Sequence, residues 1–282
     1  MSSQPVYDFE LADLVQKCQG LEELSIPFSK EEIDNVIKII PAHRAPGPDG
    51  FNGLFLKVCW DIIKEDFYTL CEDFWQGTIN VQCLNTSLIT LIPKKLTPES
   101  VNNYRPISLL NCVLKVITKI LSERLQRWIL KTVHRNQYGF IKTRTIQDCL
   151  GWAFEYLHQC KHSGKEIVIL KLDFEKAFDT MEHSFILKML ECKGFDDRWC
   201  MWIKMLLHSR SSSILLNGIP GTEFQCKRGV RQGDPISPLL FVLAADLLQS
   251  LINKAWQDGL ITLPINQPAS EDYLVIQYAD DI

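Results

Sequence analysis

The sequence predicts an α+β fold, a sheet covered by helices, and three features carry that reading. The run Ile167 to Leu172 is β-branched and apolar, as a buried central strand requires, and it delivers Asp173 at its end. Tyr273 to Tyr278 reads as a final strand running into Ala279, Asp280 and Asp281. Around them, apolar residues recur at helical spacing, most clearly Val113, Val116, Ile117, Ile120, Leu121, Leu125, Trp128 and Ile129. Carboxylates delivered from two separated strands among such helices fit an α+β sheet.

Residues 1–28 show no clear period and read as a linker or the tail of something upstream. Ser29-Lys30-Glu31-Glu32 is a capping box, and Ile33, Val36, Ile37 and Ile40 follow at helical spacing. Ala45-Pro46-Gly47-Pro48-Asp49-Gly50 breaks that helix. Leu56, Trp60, Ile63, Phe67, Leu70 and Phe74 mark a longer one stopped by Gly77. Ser87 to Ile92 reads as a short strand. A helix is expected after Asp173 through about Leu190, and another over Met201 to His208. Ile214-Leu215-Leu216-Asn217-Gly218 reads as a strand entering a turn, and Ser237-Pro238 as cap and first position of a helix from Leu239 to Trp256.

Composition narrows the function classes. At 282 residues and 46% hydrophobic content the chain can form one large or two ordinary domains around a packed core. The first ten residues are polar and acidic, unlike a signal peptide. The longest apolar stretch, Leu239 to Leu248, is interrupted by Asp246 and reads as a buried helix, not a membrane span. Ten cysteines lie without a Cys-x-x-Cys pair or repeated spacing, which argues for reduced thiols inside a cell. His158, Cys160 and His162 read as ordinary helix surface residues, because no second ligand cluster answers them. Net charge is −4, but it is segregated: from Lys94 to Arg144 eleven bases face two acids, +9, while the rest carries −13. Two readings fit that block, a localised phosphate-binding face or a solvated helix surface.

Asp173, Asp280 and Asp281 are the candidate catalytic residues. Clustered aspartates supply the hard oxygen ligands that divalent ions prefer, and such ions carry nucleotidyl transfer by holding phosphates and lowering the pKa of the attacking hydroxyl. Adjacent acids in a turn are also common as a solvated turn, so the other motifs decide.

Six motifs in one collinear order do so: Ala45-Pro46-Gly47-Pro48-Asp49-Gly50, Leu91-Ile92-Pro93-Lys94, Tyr104 to Leu110, Lys171 to Asp179, Arg228 to Pro238, and Tyr278-Ala279-Asp280-Asp281. Together they resemble the reverse transcriptase of a LINE-type, non-long-terminal-repeat retrotransposon, over nearly the whole chain. The resemblance implies right-hand polymerase fingers and palm, with an antiparallel palm sheet packed by helices. Residues 29–76 would be an N-terminal helical extension, and 77–282 the reverse transcriptase domain with fingers and an incomplete palm. The sequence stops just after the acidic pair, so the return strand of that hairpin and the thumb are expected to be absent, and poor primer extension with them.

The same resemblance implies that Asp173, the carbonyl of Phe174, Asp280 and Asp281 hold two Mg2+ ions, with Mn2+ as a substitute. It places Ala177 and Phe178 at the incoming nucleotide, Phe178 under its sugar, where a bulky ring selects deoxynucleotides. Arg105 would grip the triphosphate with a planar guanidinium, helped by Lys94, and Gln232 would sit beside the sugar and base pair. Asp234 reads as a turn partner ahead of Pro235. The implied partners are an RNA template, a DNA primer and deoxynucleoside triphosphates. Template would be held by the basic block with Tyr104, Trp128 and Tyr138, and no membrane or protein partner is inferred. The implied place of action is the nucleus, with the cytoplasm as alternative. His183 departs from the family pattern, standing where an aromatic commonly follows Ala177-Phe178-Asp179. A catalytically inactive remnant that at most binds nucleic acid is the rival reading, and a group II intron maturase a second enzyme alternative.

Overall fold

The structure is a computed structural model and describes residues 10–263, 265 and 275–282. Residues 1–9 of the expected linker, and Tyr273 and Leu274 of the expected final strand, lie outside the described residues. The rest of that linker is packed. A one-turn helix, α1 (Leu11–Leu14), and a 3-10 turn over Leu21–Ser25 bring Leu11, Leu21 and Leu24 into the interior. Their scattered spacing follows turns, which leave no period to read.

Helix α2 (Lys30–Ile39) is capped by Ser29, whose hydroxyl accepts from the Glu32 amide. Glu32 does not close the reciprocal half of the box. Its carboxylate receives both arms of the Arg124 guanidinium, at 2.8 and 2.7 Å. Helix α3 (Gly53–Gln76) starts at the Asn52 cap and ends at Gly77. The hairpin β1 (Thr86–Pro93) and β2 (Tyr104–Leu110) leads into α4 (Cys112–Thr132), the central helix. One side of α4 packs Val116 and Ile120 against Ile33, Ile37, Leu56 and Phe67 of α2 and α3. The other packs Leu114, Ile117, Leu121 and Leu125 into the main core.

After α5 (Ile146–His162) come the short α6 (Ala177–Thr180), then α7 (His183–Lys193) and α8 (Asp197–His208). Strands β3 (Ser211–Leu216), β4 (Ile219–Pro220) and β5 (Phe224–Gln225) follow. Asn217 and Gly218, both at positive φ, form the two-residue turn between β3 and β4. The chain ends through α9 (Ser237–Ala245) and α10 (Leu247–Gln257), which Asp246 separates. By length and composition 237–257 could cross a membrane, but Leu239 to Ala244 are core residues.

The sheet order is β2-β1-β3-β4, with β5 also on β3. It is mixed, not antiparallel as expected, because β1 and β3 run parallel from Thr86/Ser211 to Ile89/Ile214. Nor does it contain the expected central strand. Val168 is 95% exposed, and the only backbone partner of 167–172 among the described residues is Ile282, bonded to Leu172. A strand is buried on two faces only when neighbours line both edges and a layer covers each face, and apolar composition cannot supply those neighbours.

Candidate active site

Leu172 and Ile282 exchange both backbone N–H···O bonds, at 2.8 and 3.2 Å. The next pair along this antiparallel contact, Asp173 and Asp281, is therefore directly opposed without a hydrogen bond between them. That is the closer kind of pair, with Cα atoms about 4.5 Å apart and side chains on one face. Asp280 precedes it in a tight turn closed by Tyr278 and Asp281, which exchange backbone bonds of 2.8 and 3.2 Å. The return limb that the sequence led us to expect to be missing thus begins within the chain, and it ties the acidic turn to Asp173.

The turn has positive φ at Ala279 (58°) and not at Asp280, the type II′ pattern that glycine normally fills. A non-glycine residue there stores about 1 kcal/mol or more of strain, so something else must hold it. Gln137, completely buried, does so. Its side-chain carbonyl accepts from the amides of Ala279 (3.0 Å) and Gly139 (2.8 Å), while its amide nitrogen donates to the Gln277 side chain (3.2 Å). Arg144 in turn donates to the backbone carbonyls of His134 and Gln137. Gly139 lies so close beneath the turn that a Cβ there would stand 2.3 Å from the Ala279 nitrogen.

A second group forms where the loop from Arg228 to Pro235 crosses the chain after Asp173. Val230 donates to the Phe178 carbonyl and Gly229 to that of Met181, both at 2.7 Å. Gly229 has a φ of 77° and no room for a side chain against the Asp179 backbone. On the other side, the Ser108 amide of β2 donates to the Gln232 carbonyl at 2.9 Å. Buried Arg231 anchors the loop through Asn85 and the carbonyls of Asn85 and Ser211. The Phe178 ring stacks on Phe241 at 4.6 Å and meets Phe140 edge-on at 5.9 Å. Ala177 is buried in the same core.

Lys94 and Arg105 are exposed on the β1–β2 hairpin, where Ile92 pairs with Arg105. Lys94 also faces α6: burial raises the Asp179 carboxyl above its usual range, and the charges of Lys176 and Lys94 pull it back. Asp234 accepts from the Ile236 amide at 3.2 Å, a turn partner as its place before Pro235 suggested.

The exposed carboxylates of Asp173 and Asp281 are hard oxygen donors suited to a divalent cation. Phe174 follows directly and is 47% exposed. Among the described residues no three His, Cys, Asp or Glu side chains converge enough to form a complete protein cage. An ion that keeps waters and takes phosphate oxygens needs no such cage, which is the habit of Mg2+.

Comparison with known proteins then identifies the architecture. Residues 92–282 match the family described as reverse transcriptase (RNA-dependent DNA polymerase). The chain belongs to the reverse transcriptase family. Its relatives include the transposon TX1 uncharacterized 149 kDa protein of Xenopus laevis, 29% identical over 93% of this chain and 20% of that protein. The RNA-directed DNA polymerase from mobile element jockey of Drosophila melanogaster is 24% identical over 94% of this chain and 29% of its own length. A Pol polyprotein from the R2 retrotransposable element of Popillia japonica is 31% identical over 68% of this chain and 26% of its own. These place the chain among non-long-terminal-repeat retrotransposon reverse transcriptases, and it spans under a third of the length of each.

Within this reverse transcriptase, sequence reading missed Gln137, Arg144 and Asn85. Each is a polar residue whose role appears only when distant backbone reaches it. Gly139 carried a faint signal, a small residue just before an aromatic. Gly139→Ala is expected to push the acidic turn aside and lower primer extension about 100-fold, with circular dichroism unchanged. Unaltered extension would show that the close approach does not position the turn.

His183 is buried, its Nε2 3.0 Å from the Gly229 carbonyl and its ring stacked on His208. Burial first, then the Arg210 charge, push its pKa down to about 4. Between that value and the unfolded value near 6.5, the unfolded chain takes up a proton that the folded chain refuses, so stability present above about pH 6.5 is lost on acidification. Urea unfolding at pH 7 and pH 5 should show the wild type losing about 2 kcal/mol more than His183→Asn. Equal losses would refute the buried neutral imidazole.

Proposed function

We propose that the chain performs RNA-templated DNA synthesis, extending a primer 3′-hydroxyl with deoxynucleoside triphosphates. The observation that carries this reading is the direct opposition of Asp173 and Asp281, joined to Asp280 by a turn that buried Gln137 holds. Asp173, Asp280, Asp281 and the Phe174 carbonyl would hold Mg2+, or Mn2+ in its place. Bound there, the ions supply charge neutralisation on phosphate oxygens and a lowered pKa for the primer hydroxyl.

The chain's own residues do the rest. Arg105 and Lys94, exposed on one hairpin, bind the triphosphate, the first through its planar fork and the second as a point charge. Phe178, fixed by Phe241 and Phe140, is the floor under the sugar and excludes a 2′-hydroxyl by size. Gln232, held to β2, lines the base-pair side of that pocket. In this reading the β1–β2 hairpin belongs to the fingers and the carboxylate pair to the palm, acting in the nucleus.

Template contact is reserved for part of the basic block. Arg124 leaves that face: it is buried, held by Glu32 and the carbonyls of Leu24, Ile26 and Pro27. Lys119 and Lys142 share Glu123. Lys95, Arg127 and Lys131 remain exposed for phosphate contact.

The test is poly(rA)/oligo(dT) extension with this chain in Mg2+, beside Mn2+ binding followed by electron paramagnetic resonance. Weak incorporation of dTTP that needs the metal and vanishes with Asp280→Asn, together with Mn2+ binding weakened by the same change, is the expected result. Incorporation indifferent to metal or to Asp280, or Mn2+ binding untouched by the substitution, would overturn the proposal.

A further inference from the structure

We infer that His158 and His162 form a bidentate site for a borderline transition-metal cation, with Zn2+ the natural occupant, on the exposed face of α5. The two imidazole Nε2 atoms stand 3.2 Å apart, with ring centroids 4.4 Å apart and planes inclined at 63°. Two nitrogen ligands on a tetrahedral Zn2+, each at about 2.0–2.1 Å, stand about 3.3 Å from one another. The separation of the pair therefore matches the bite of the ion.

Helical geometry explains the fit. Residues four apart lie one above the other on a helix face, so an i, i+4 histidine pair can converge on one ion. Both rings are exposed, so the ion enters from solvent without opening the fold. Cys160, midway between them in sequence, is no third ligand: it is 1% exposed and turned into the protein. Among the described residues no third His, Cys, Asp or Glu joins the pair, which leaves the remaining positions to water.

The donor set also separates this site from the aspartates. Imidazole nitrogen suits Zn2+, Ni2+ and Cu2+, while carboxylate oxygen suits Mg2+ and Mn2+, so each site keeps its own metal in a mixture. The consequence falls on α5. Of its seventeen residues only Cys149 and Cys160 are buried, so in its last turn Cys160 is the one buried anchor. A metal clamp from His158 to His162 fastens that turn just before the segment that delivers Asp173. Ion binding is linked to its stability by mass action.

A hydrogen bond between the two rings spans the same distance, and a titration distinguishes the two. Zn2+ is added to the 15N-histidine-labelled chain in excess Mg2+, and the imidazole signals of its six histidines are followed. Zinc taken by cysteine thiolates does not ligate these rings. Signals of His158 and His162 should move together and saturate ahead of the other four. His158→Gln should weaken the response of His162 about tenfold or more. The substitution is on the surface, so the remaining signals should stay in place and report an intact fold. Two signals that stay still until all six move, or a His162 response unchanged by His158→Gln, would overturn the site. This readout does not depend on polymerase activity.

Discussion

Asn in place of Asp173 or Asp281 is expected to lower primer extension about a thousandfold or more while leaving the metal-free chain equally stable or slightly more so. The two carboxylates oppose each other at a close, non-hydrogen-bonded position on one face. Without a cation, like charges placed there repel by about 0.2–1 kcal/mol, so removing either relieves the fold. On the proposed reading a bound cation would take the same pair as its protein ligands, and losing one would forfeit several kcal/mol of charge stabilisation in the transition state. Lys171 offsets little of the repulsion, since its Nζ lies 3.9 Å from Asp281 and both groups are largely exposed. Opposite signs for activity and stability are what distinguish ligands from structural acids. Primer extension and thermal melts in chelator, measured on the same preparations, provide the check. An Asn variant that keeps its activity, or one that loses activity only by melting, would refute the assignment.

Asp246→Ala is expected to destabilise the fold by about 3–5 kcal/mol, a large part of what a domain of this kind possesses. Asp246 sits at the break between α9 and α10, 2% exposed, and three donors use its carboxylate. The His134 amide and Nδ1 reach Oδ1 at 2.8 Å, and Lys193 Nζ reaches Oδ2 at 2.6 Å. Burial opposes its charge, but the His134 bond and the Lys193 charge outweigh that and hold its pKa below the usual carboxylate range. Removing it leaves Lys193, itself 3% exposed, with only the Thr132 carbonyl at 2.6 Å among the described residues. An uncompensated buried ammonium is the source of the loss. The double change Asp246→Leu with Lys193→Met should therefore recover most of it, because the pair itself adds little once its desolvation is counted. Denaturant midpoints for the three proteins test this, and a loss below about 1 kcal/mol in the single variant would sink it. Because His134 begins the segment leading to Gln137, the single variant should also extend primers more weakly than the unaltered chain.

Both predictions rest on contacts of very different visibility in the chain. The helix at Ser29 and the stop at Gly77 were legible because caps and breakers act within a turn of chain, whereas Ser237 is not the expected cap: it stands inside α9, and Ile236 holds the cap position without a side-chain bond. The six motifs pointed to the reverse transcriptase family, and Asp173, Asp280 and Asp281 could be named from them. The strand at 167–172 was misread for an equally physical reason. Its composition suits burial, yet burial depends on neighbours, and Val168 has 95% of its surface in solvent. Arg124 looked like one cation among several on a helix face until Glu32, distant in sequence, claimed it.

Local pattern alone was thus enough for the start of α2, the end of α3 and the family, and it singled out the acidic residues, but it ran α6 into α7 and α9 into α10 as single helices. Packing in three dimensions settled the rest: that Asp281 lies opposite Asp173, that Gln137 holds the strained turn at Ala279, and that Arg231 pins the loop of Gln232. Each of these joins groups far apart in the chain, where register and close approach, not propensity, determine what meets what.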